Sequence, residues 1–151
     1  MNQSTEMRSI YNAADVLPQY LGSGDPNLKN YYPAWLDNMA EDATLEGSML
    51  DGVVEGAEGV RSVVATIRSL YDRQEHKFAG PFGDNGFLED YVAEVAGEPI
   101  GCVVLVKRNA AGQTQNVVAS YRPRTSLLVF ARLLGERFAG TDIGKHFVGE
   151  S

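Results

Sequence analysis

QEHKFAGPFGDNGFLEDYVAEVAGEPIGCVVLVKRNAAGQTQNVVASYR, residues 74–122, is the stretch that decides the fold. Three clusters of turn residues divide it: Gly83-Asp84-Asn85-Gly86, Gly97-Glu98-Pro99 and Asn109-Ala110-Ala111-Gly112. Connections this short join antiparallel neighbours, and Asn-Gly tolerates the positive φ that a tight hairpin needs. The runs between them predict strands over Gln74–Phe82, Phe87–Ala96, Ile100–Arg108 and Thr114–Arg122, in one antiparallel sheet.

Helical signals lie on both sides. Val60, Val63, Val64, Ile67, Leu70 and Tyr71 form one apolar stripe over residues 57–71, and a helix of that length needs a surface to pack on. Pro123 ends the last strand; Thr125 or Ser126 starts a final helix with Leu127, Phe130, Ala131, Leu134 and Phe138 on its inner face, and Gly140 ends it. Residues 141–151 read as a loose tail with at most a short turn. Upstream, Met7, Ile10, Tyr11, Ala14, Leu17 and Leu21 mark an amphipathic helix stopped at Gly22 and Gly24. Asp25-Pro26 starts a second helical stretch, Leu28 to Met39, which Pro33 breaks into a short helix and a further turn. Ala43–Leu50 predicts a first strand, Asp51-Gly52 a turn and Val53-Val54 a short return strand. With no repeat or linker, residues 1–151 read as a single domain with its core over about residues 5–139.

The strand from Ile100 to Val106 is apolar on both faces, whereas a half-buried strand alternates. Cover on both sides is implied: helices on one, and on the other a second subunit or the chain's own helices or tail. The expectation taken forward is a homodimer through the outer sheet face.

The net charge is −7, which excludes the basic footprint of a general nucleic-acid or anionic-membrane partner, although Arg122, Arg124, Arg132 and Arg137 lie close together. The single cysteine, Cys102, lies in the apolar strand and reads as a core residue; no intrachain disulfide is available to it. Cys102, His76 and His146 are too scattered for a zinc pattern, and no phosphate loop or dinucleotide fingerprint occurs, so neither metal nor cofactor is expected. The first twenty residues lack a signal-peptide pattern, and no apolar run approaches the roughly 18 residues of a membrane helix. The expected location is the cytoplasm.

Several segments carry a resemblance: Gly22-Ser23-Gly24-Asp25, Asp42-Ala43-Thr44-Leu45-Glu46-Gly47, Val54-Glu55-Gly56-Ala57-Glu58-Gly59-Val60, and Tyr121-Arg122-Pro123 before the Leu-rich helix. In this order and spacing, over roughly residues 10–138, they resemble SnoaL-like proteins of the nuclear transport factor 2-like superfamily. The resemblance implies an α+β fold: a strongly curved antiparallel sheet wrapped around helices to form a cone with an internal pocket. The superfamily includes ketosteroid isomerases, polyketide cyclases, limonene epoxide hydrolases, scytalone dehydratases and non-catalytic binding domains, so the fold leaves function open. Many members carry His-Arg-Pro where this chain has Tyr121-Arg122-Pro123, which puts a histidine role there in doubt.

Chemistry turns on the parity of Phe87–Ala96. One face carries Phe87, Glu89, Tyr91, Ala93 and Val95; the other carries Leu88, Asp90, Val92, Glu94 and Ala96. Should the first face the pocket, Glu89 is a candidate general acid or base in an apolar wall, and Tyr91 a hydrogen-bond donor to a substrate oxygen. With the opposite parity, Asp90 and Glu94 take the inner positions. His76, with parity mates Gln74, Phe78 and Gly80, is a candidate proton shuttle or a surface histidine; His146 carries no expected role. Tyr20, Tyr32 and Trp35, with Tyr121, are candidate ligand-binding residues, since the resemblance places the N-terminal helices over the pocket. Arg122 is expected to pair with an acid. No complete isomerase, epoxide hydrolase or dehydratase residue set is recognisable. Two functions follow: cofactor-independent acid–base catalysis on a small apolar carbonyl compound, or a non-catalytic dimeric module that binds a ligand or a protein.

Overall fold

The structure is a computed structural model that describes residues 33–147. A 3-10 turn, Ala34–Leu36, leads into β1 (Met39–Gly47) and β2 (Val54–Glu55); helix α1 (Ala57–Leu70) follows. Strands β3 (Arg73–Phe82), β4 (Gly86–Val95), β5 (Glu98–Arg108) and β6 (Thr114–Arg122) form a meander, and helix α2 (Arg124–Arg137) and a 3-10 turn, Ile143–His146, close the order. The architecture is α+β. The sheet runs β2-β1-β6-β5-β4-β3 and is mixed rather than wholly antiparallel, because β1 lies parallel to β6. It does not close on itself; β2 and β3 are its edges.

The hairpins arise where turn chemistry allows. Between β4 and β5 the loop is Ala96-Gly97, both with positive φ (53° and 81°), and Val95 pairs with Glu98 across it. Glu98 and Pro99 therefore belong to β5, not to the turn. Between β3 and β4 the expected left-handed Asn-Gly does not form. Gly83 carries the positive φ of 72°, while the Asn85 carbonyl accepts a hydrogen bond from Arg108 N at 2.9 Å and is drawn toward β5. Asn109 builds the third turn: its Oδ1 accepts from the amides of Ala111 and Gln113, each at 3.0 Å.

Three register shifts bend the sheet: in β3 between His76 and Phe78, between Lys107 and Arg108 in β5, and in β1 between Met39 and Thr44. The first corrects a parity expectation. Lys77 has no partner opposite it, since His76 pairs with Tyr91 and Phe78 with Asp90. Gln74 and His76 face inward, but past the bulge Phe78 turns outward, 49% exposed, with its ring over Gly80 on the outer face.

The predicted helical stretch to Met39 is also corrected. Met39 opens β1, because β6 takes the carbonyls a helix would use: the Thr114 hydroxyl donates to Trp35 O at 2.8 Å and Thr114 N to Asn38 O at 2.8 Å. The strand expected over Ala43–Leu50 ends at Gly47 instead, where Leu50 N bonds back to Gly47 O. α2 begins at Arg124 with Pro123 as its N-cap, and Ser126 is buried in its first turn. The predicted helices before residue 33 lie outside the described residues.

α1 buries Val60, Val63, Val64 and Ile67 against the inner face of the sheet, and α2 adds Phe130, Leu134 and Phe138. The tail is not loose as far as Phe147. That ring stacks on Phe138 at 5.8 Å, and His146 exchanges two bonds with Asp51: Asp51 N to His146 O at 2.8 Å, and His146 Nδ1 with Asp51 O at 2.7 Å. Among the described residues no helix is long and apolar enough to cross a membrane.

Candidate functional site

Between α1 and the inner sheet face lies a cavity of about 40 Å³, room for roughly three water-sized groups. Its walls are mostly apolar: Leu45, Val64, Ile67, Val104, Val117 and Ala119. Against them stand Trp35, Gln74, Glu89, Tyr91 and Tyr121, with Arg68 from the last turn of α1. β4 sets the composition by strict alternation: Phe87, Glu89, Tyr91, Ala93 and Val95 are all buried, and Leu88, Asp90 and Val92 face outward, half-buried.

Glu89 is 3% exposed and oriented through both oxygens. Trp35 Nε1 donates to Oε2 at 3.3 Å, and His76 Nε2 lies 3.6 Å from Oε1. The bulge at Lys77 leaves His76 on this inner face, beside Tyr91 with ring centroids 5.3 Å apart. Trp35 is held in turn by the bond from Thr114 to its carbonyl and by Arg61 Nε donating to Leu36 O at 2.9 Å.

Next to the carboxylate lies a cluster of phenols. The Tyr71 hydroxyl is 2.6 Å from that of Tyr91 and 3.1 Å from that of Tyr121. Tyr91 and Tyr121 also hydrogen-bond the Cys102 sulfur, a weak acceptor, and both line the cavity, where either hydroxyl can turn to donate to a ligand. Burial first, and the field of the Cys102 sulfur second, hold all three hydroxyls far above the ordinary tyrosine range, so they are neutral donors at any physiological pH. Burial pushes the Cys102 thiol up to about 12, against some lowering by Tyr91 and Tyr121, which makes it no nucleophile.

Of the residues singled out in the sequence, Glu89, Tyr91, His76, Trp35 and Tyr121 meet at this cavity or against its wall. Tyr20 and Tyr32 lie outside the described residues. Asp90 and Glu94 do not face inward: Arg122 Nη2 pairs with Asp90 Oδ1 at 3.1 Å on the outer face, and Glu94 is exposed. The sequence reading missed Tyr71, which it took as the end of a helix stripe; its place at the junction of α1 and β3 was the available signal. It also missed Gln74, two residues before His76 on the same face, and Arg68, which stood off the stripe. No three metal-ligating side chains cluster among the described residues.

No family model matches the chain, and no curated protein matches it. Solved structures do. A steroid delta-isomerase from Pseudomonas aeruginosa superposes with a TM-score of 0.68 at 17% identity, covering 85% of this chain and 93% of that one. An uncharacterised bacterial protein with a cystatin-like fold from Silicibacter pomeroyi gives 0.65 at 15% identity over 70% of this chain and 74% of that one. An NTF-2 like protein of unknown function from Burkholderia xenovorans gives 0.50 at 14% identity over 61% and 74%. The chain thus has the cystatin-like, nuclear transport factor 2-like fold, the one its resemblance to SnoaL-like proteins implied. Identities this low speak to the fold alone.

Proposed function

We propose that the cavity binds a small, largely apolar carbonyl compound and catalyses a cofactor-independent proton transfer on it, with isomerisation ahead of cyclisation or dehydration. The observation that carries this reading is Glu89: a buried carboxylate oriented by Trp35 and His76, on the same inner face as the Tyr91 hydroxyl. Residues two apart on one strand face stand about 7 Å apart, which leaves room for a carbonyl and its neighbouring carbon between the two groups.

In this scheme Glu89 takes a proton from the carbon next to the carbonyl, and the released electron pair moves onto the carbonyl oxygen. Tyr91 donates its hydrogen bond to that oxygen, as a neutral phenol that stays protonated, its hydroxyl turning from the neighbouring phenols and thiol to do so. Return of the proton from Glu89 to a different carbon completes an isomerisation in which no atom is lost. That the P. aeruginosa protein of similar fold is named a steroid delta-isomerase supports placing isomerisation first.

The test is Glu89→Gln, assayed by exchange of α-protons for deuterium in a panel of small ketones and enones. Exchange is expected to fall by a factor of about 10²–10⁴, while the ligand still quenches Trp35, the single tryptophan. Undiminished exchange in the variant refutes the role of Glu89. Binding to the wild type without any exchange favours the second reading, a binding module without catalysis.

The outer sheet face supports that second reading's dimer. Leu88, Leu105 and Val118 lie in register across β4, β5 and β6, beside Val103 and the exposed Phe78. A second copy of the chain is the partner proposed for this face, and the cytoplasm the proposed location.

A further inference from the structure

Leu45, Ile67, Ala119 and Tyr121 line two voids at once. On one side is the cavity with Glu89, Gln74 and the phenols. On the other is a void of about 10 Å³, walled by Met49, Leu50, Val63 and Phe147. Glu46, the charged residue at that void, is exposed. Phe147 closes the far end, fixed by its stack on Phe138.

Helix α1 steps along both spaces. Val64 faces only the cavity, Ile67 stands in the shared wall, and Val63 faces only the inner void. Polarity therefore runs in one direction, from carboxylate and hydroxyls to hydrocarbon. A void of this size holds at most about one water, and apolar walls give that water no partners, whereas a methyl or methylene group gains contacts on every side. Of the four residues in the shared wall, two are branched aliphatics, one is the small Ala119 and one is Tyr121.

We propose that the two voids are the head and tail of one binding site, and that its ligand is an elongated amphiphile. A single carbonyl head lies at Glu89 and Tyr91, and a slim unbranched hydrocarbon end passes Leu45 and Ile67 toward Phe147. Val63 and Ile67 set the chain length that fits. The inference rests on the carbonyl-binding reading above and adds the shape of the ligand to it.

The experiment titrates the full chain with straight-chain methyl ketones from butanone to 2-decanone, reading Trp35 fluorescence. In the wild type, affinity is expected to rise about fourfold per methylene until the inner void is full, then to level off. Val63→Ile adds one methylene to the inner wall and moves the plateau about one carbon shorter; Ile67→Ala opens the shared wall and moves it longer. Circular dichroism and melting of both variants report their folding, and Val63→Ile, the milder change, suffices alone if Ile67→Ala does not fold. Ketones that bind with the same plateau in wild type and Val63→Ile overturn the shared-site proposal and leave the carbonyl-binding reading intact. A branched ketone binding as well as its straight isomer also overturns it. If no ketone of any length changes Trp35 emission, the carbonyl-binding reading fails, and this proposal with it.

Discussion

Raising the pH above about 9 is expected to destabilise this protein through four buried protons, and the size of the effect follows from the cluster around Tyr71. The perturbation acts on Cys102, whose thiol goes from an ordinary value of 9.0 to about 12 in the fold, and on Tyr71, Tyr91 and Tyr121, each held above the ordinary tyrosine value of 10.0. Below pH 9 both the folded and the unfolded chain hold all four protons, and these groups give stability no pH dependence. Above 9 the unfolded chain releases the Cys102 proton, and above 10 the three phenolic protons as well, while the folded chain keeps them. A raised folded value thus means stability present at low pH and lost as pH rises. Each proton released only by the unfolded state costs about 1.4 kcal/mol per pH unit. The slope is then about 1.4 kcal/mol per unit between pH 9 and 10, and about 5–6 kcal/mol per unit above 10. Against an ordinary domain stability of about 5–15 kcal/mol, the midpoint at 25 °C falls near pH 11 for a protein at the lower end of that range. Urea unfolding followed by far-UV circular dichroism, at fixed ionic strength and half-unit pH steps, measures the slope directly. Cys102→Ser removes the limb between pH 9 and 10 and leaves the steep limb. Titration at 295 nm gives the refuting result: if all seven tyrosines of the chain ionise near pH 10 while the dichroism stays native, the cluster is not shielded and the reasoning fails.

Three further outcomes are expected. Gly47→Ala places a Cβ inside contact distance of the Ala119 carbonyl oxygen, a backbone atom that also accepts from Ser48 N at 3.1 Å; a loss of about 2–4 kcal/mol in urea unfolding is expected, and a neutral result would show that β1 and β6 can part there. Phe147→Ala removes the ring stacked on Phe138 and costs about 3 kcal/mol; a change below about 0.5 kcal/mol would return the tail to the loose segment the sequence suggested. Leu105→Asp sets a charge in the middle of the row formed with Leu88 and Val118, and light scattering after size exclusion is expected to find a dimer for the wild type and a monomer for the variant; a monomeric wild type at micromolar concentration removes the dimer proposal.

Much of the architecture was legible because local chemistry and global fold agree along residues 57–138. The stripe on α1, the turn residues between strands and the break at Pro123 each have a physical cause that acts within a few residues. What was not legible depends on partners distant in sequence. The parallel pairing of β1 with β6 brings together segments about seventy residues apart. The change from the 3-10 turn Ala34–Leu36 to β1 is set by Thr114, which claims the carbonyls of Trp35 and Asn38. The site divides the same way. Alternation put Glu89 and Tyr91 on one face without saying which face was inner. It placed Phe78 and Gly80 with His76, and that failed because one unpaired residue, Lys77, reverses a parity that the pattern of side chains cannot reveal. Tyr71 was hidden for a different reason. At the end of an apolar helical stripe, a tyrosine reads as core, and only the approach of two other hydroxyls from β4 and β6 makes it polar machinery.

The fold places the cavity but does not account for what lines it. Structures that share this fold at 14–17% identity need keep only the bent sheet and the helices on it. Nothing in that scaffold calls for a carboxylate at position 89, where the other inward residues of β4 besides Tyr91 are Phe87, Ala93 and Val95. Replacing a buried polar pair by well-packed apolar side chains often leaves stability unchanged or raises it. Cohesion is therefore a poor reason for Glu89 to sit beside His76 and the Trp35 indole. What those contacts provide is orientation, since one oxygen is bonded to the indole and the other faces the imidazole. The phenols show the same logic. Their hydroxyls bond one another and the Cys102 sulfur, a weak acceptor that a ligand oxygen betters. The cavity brings a phenolic proton, on Tyr91 or Tyr121, to the same space as the fixed carboxylate, so that a ligand carbonyl lodged there meets an acceptor for its α-proton and a donor for its oxygen at once.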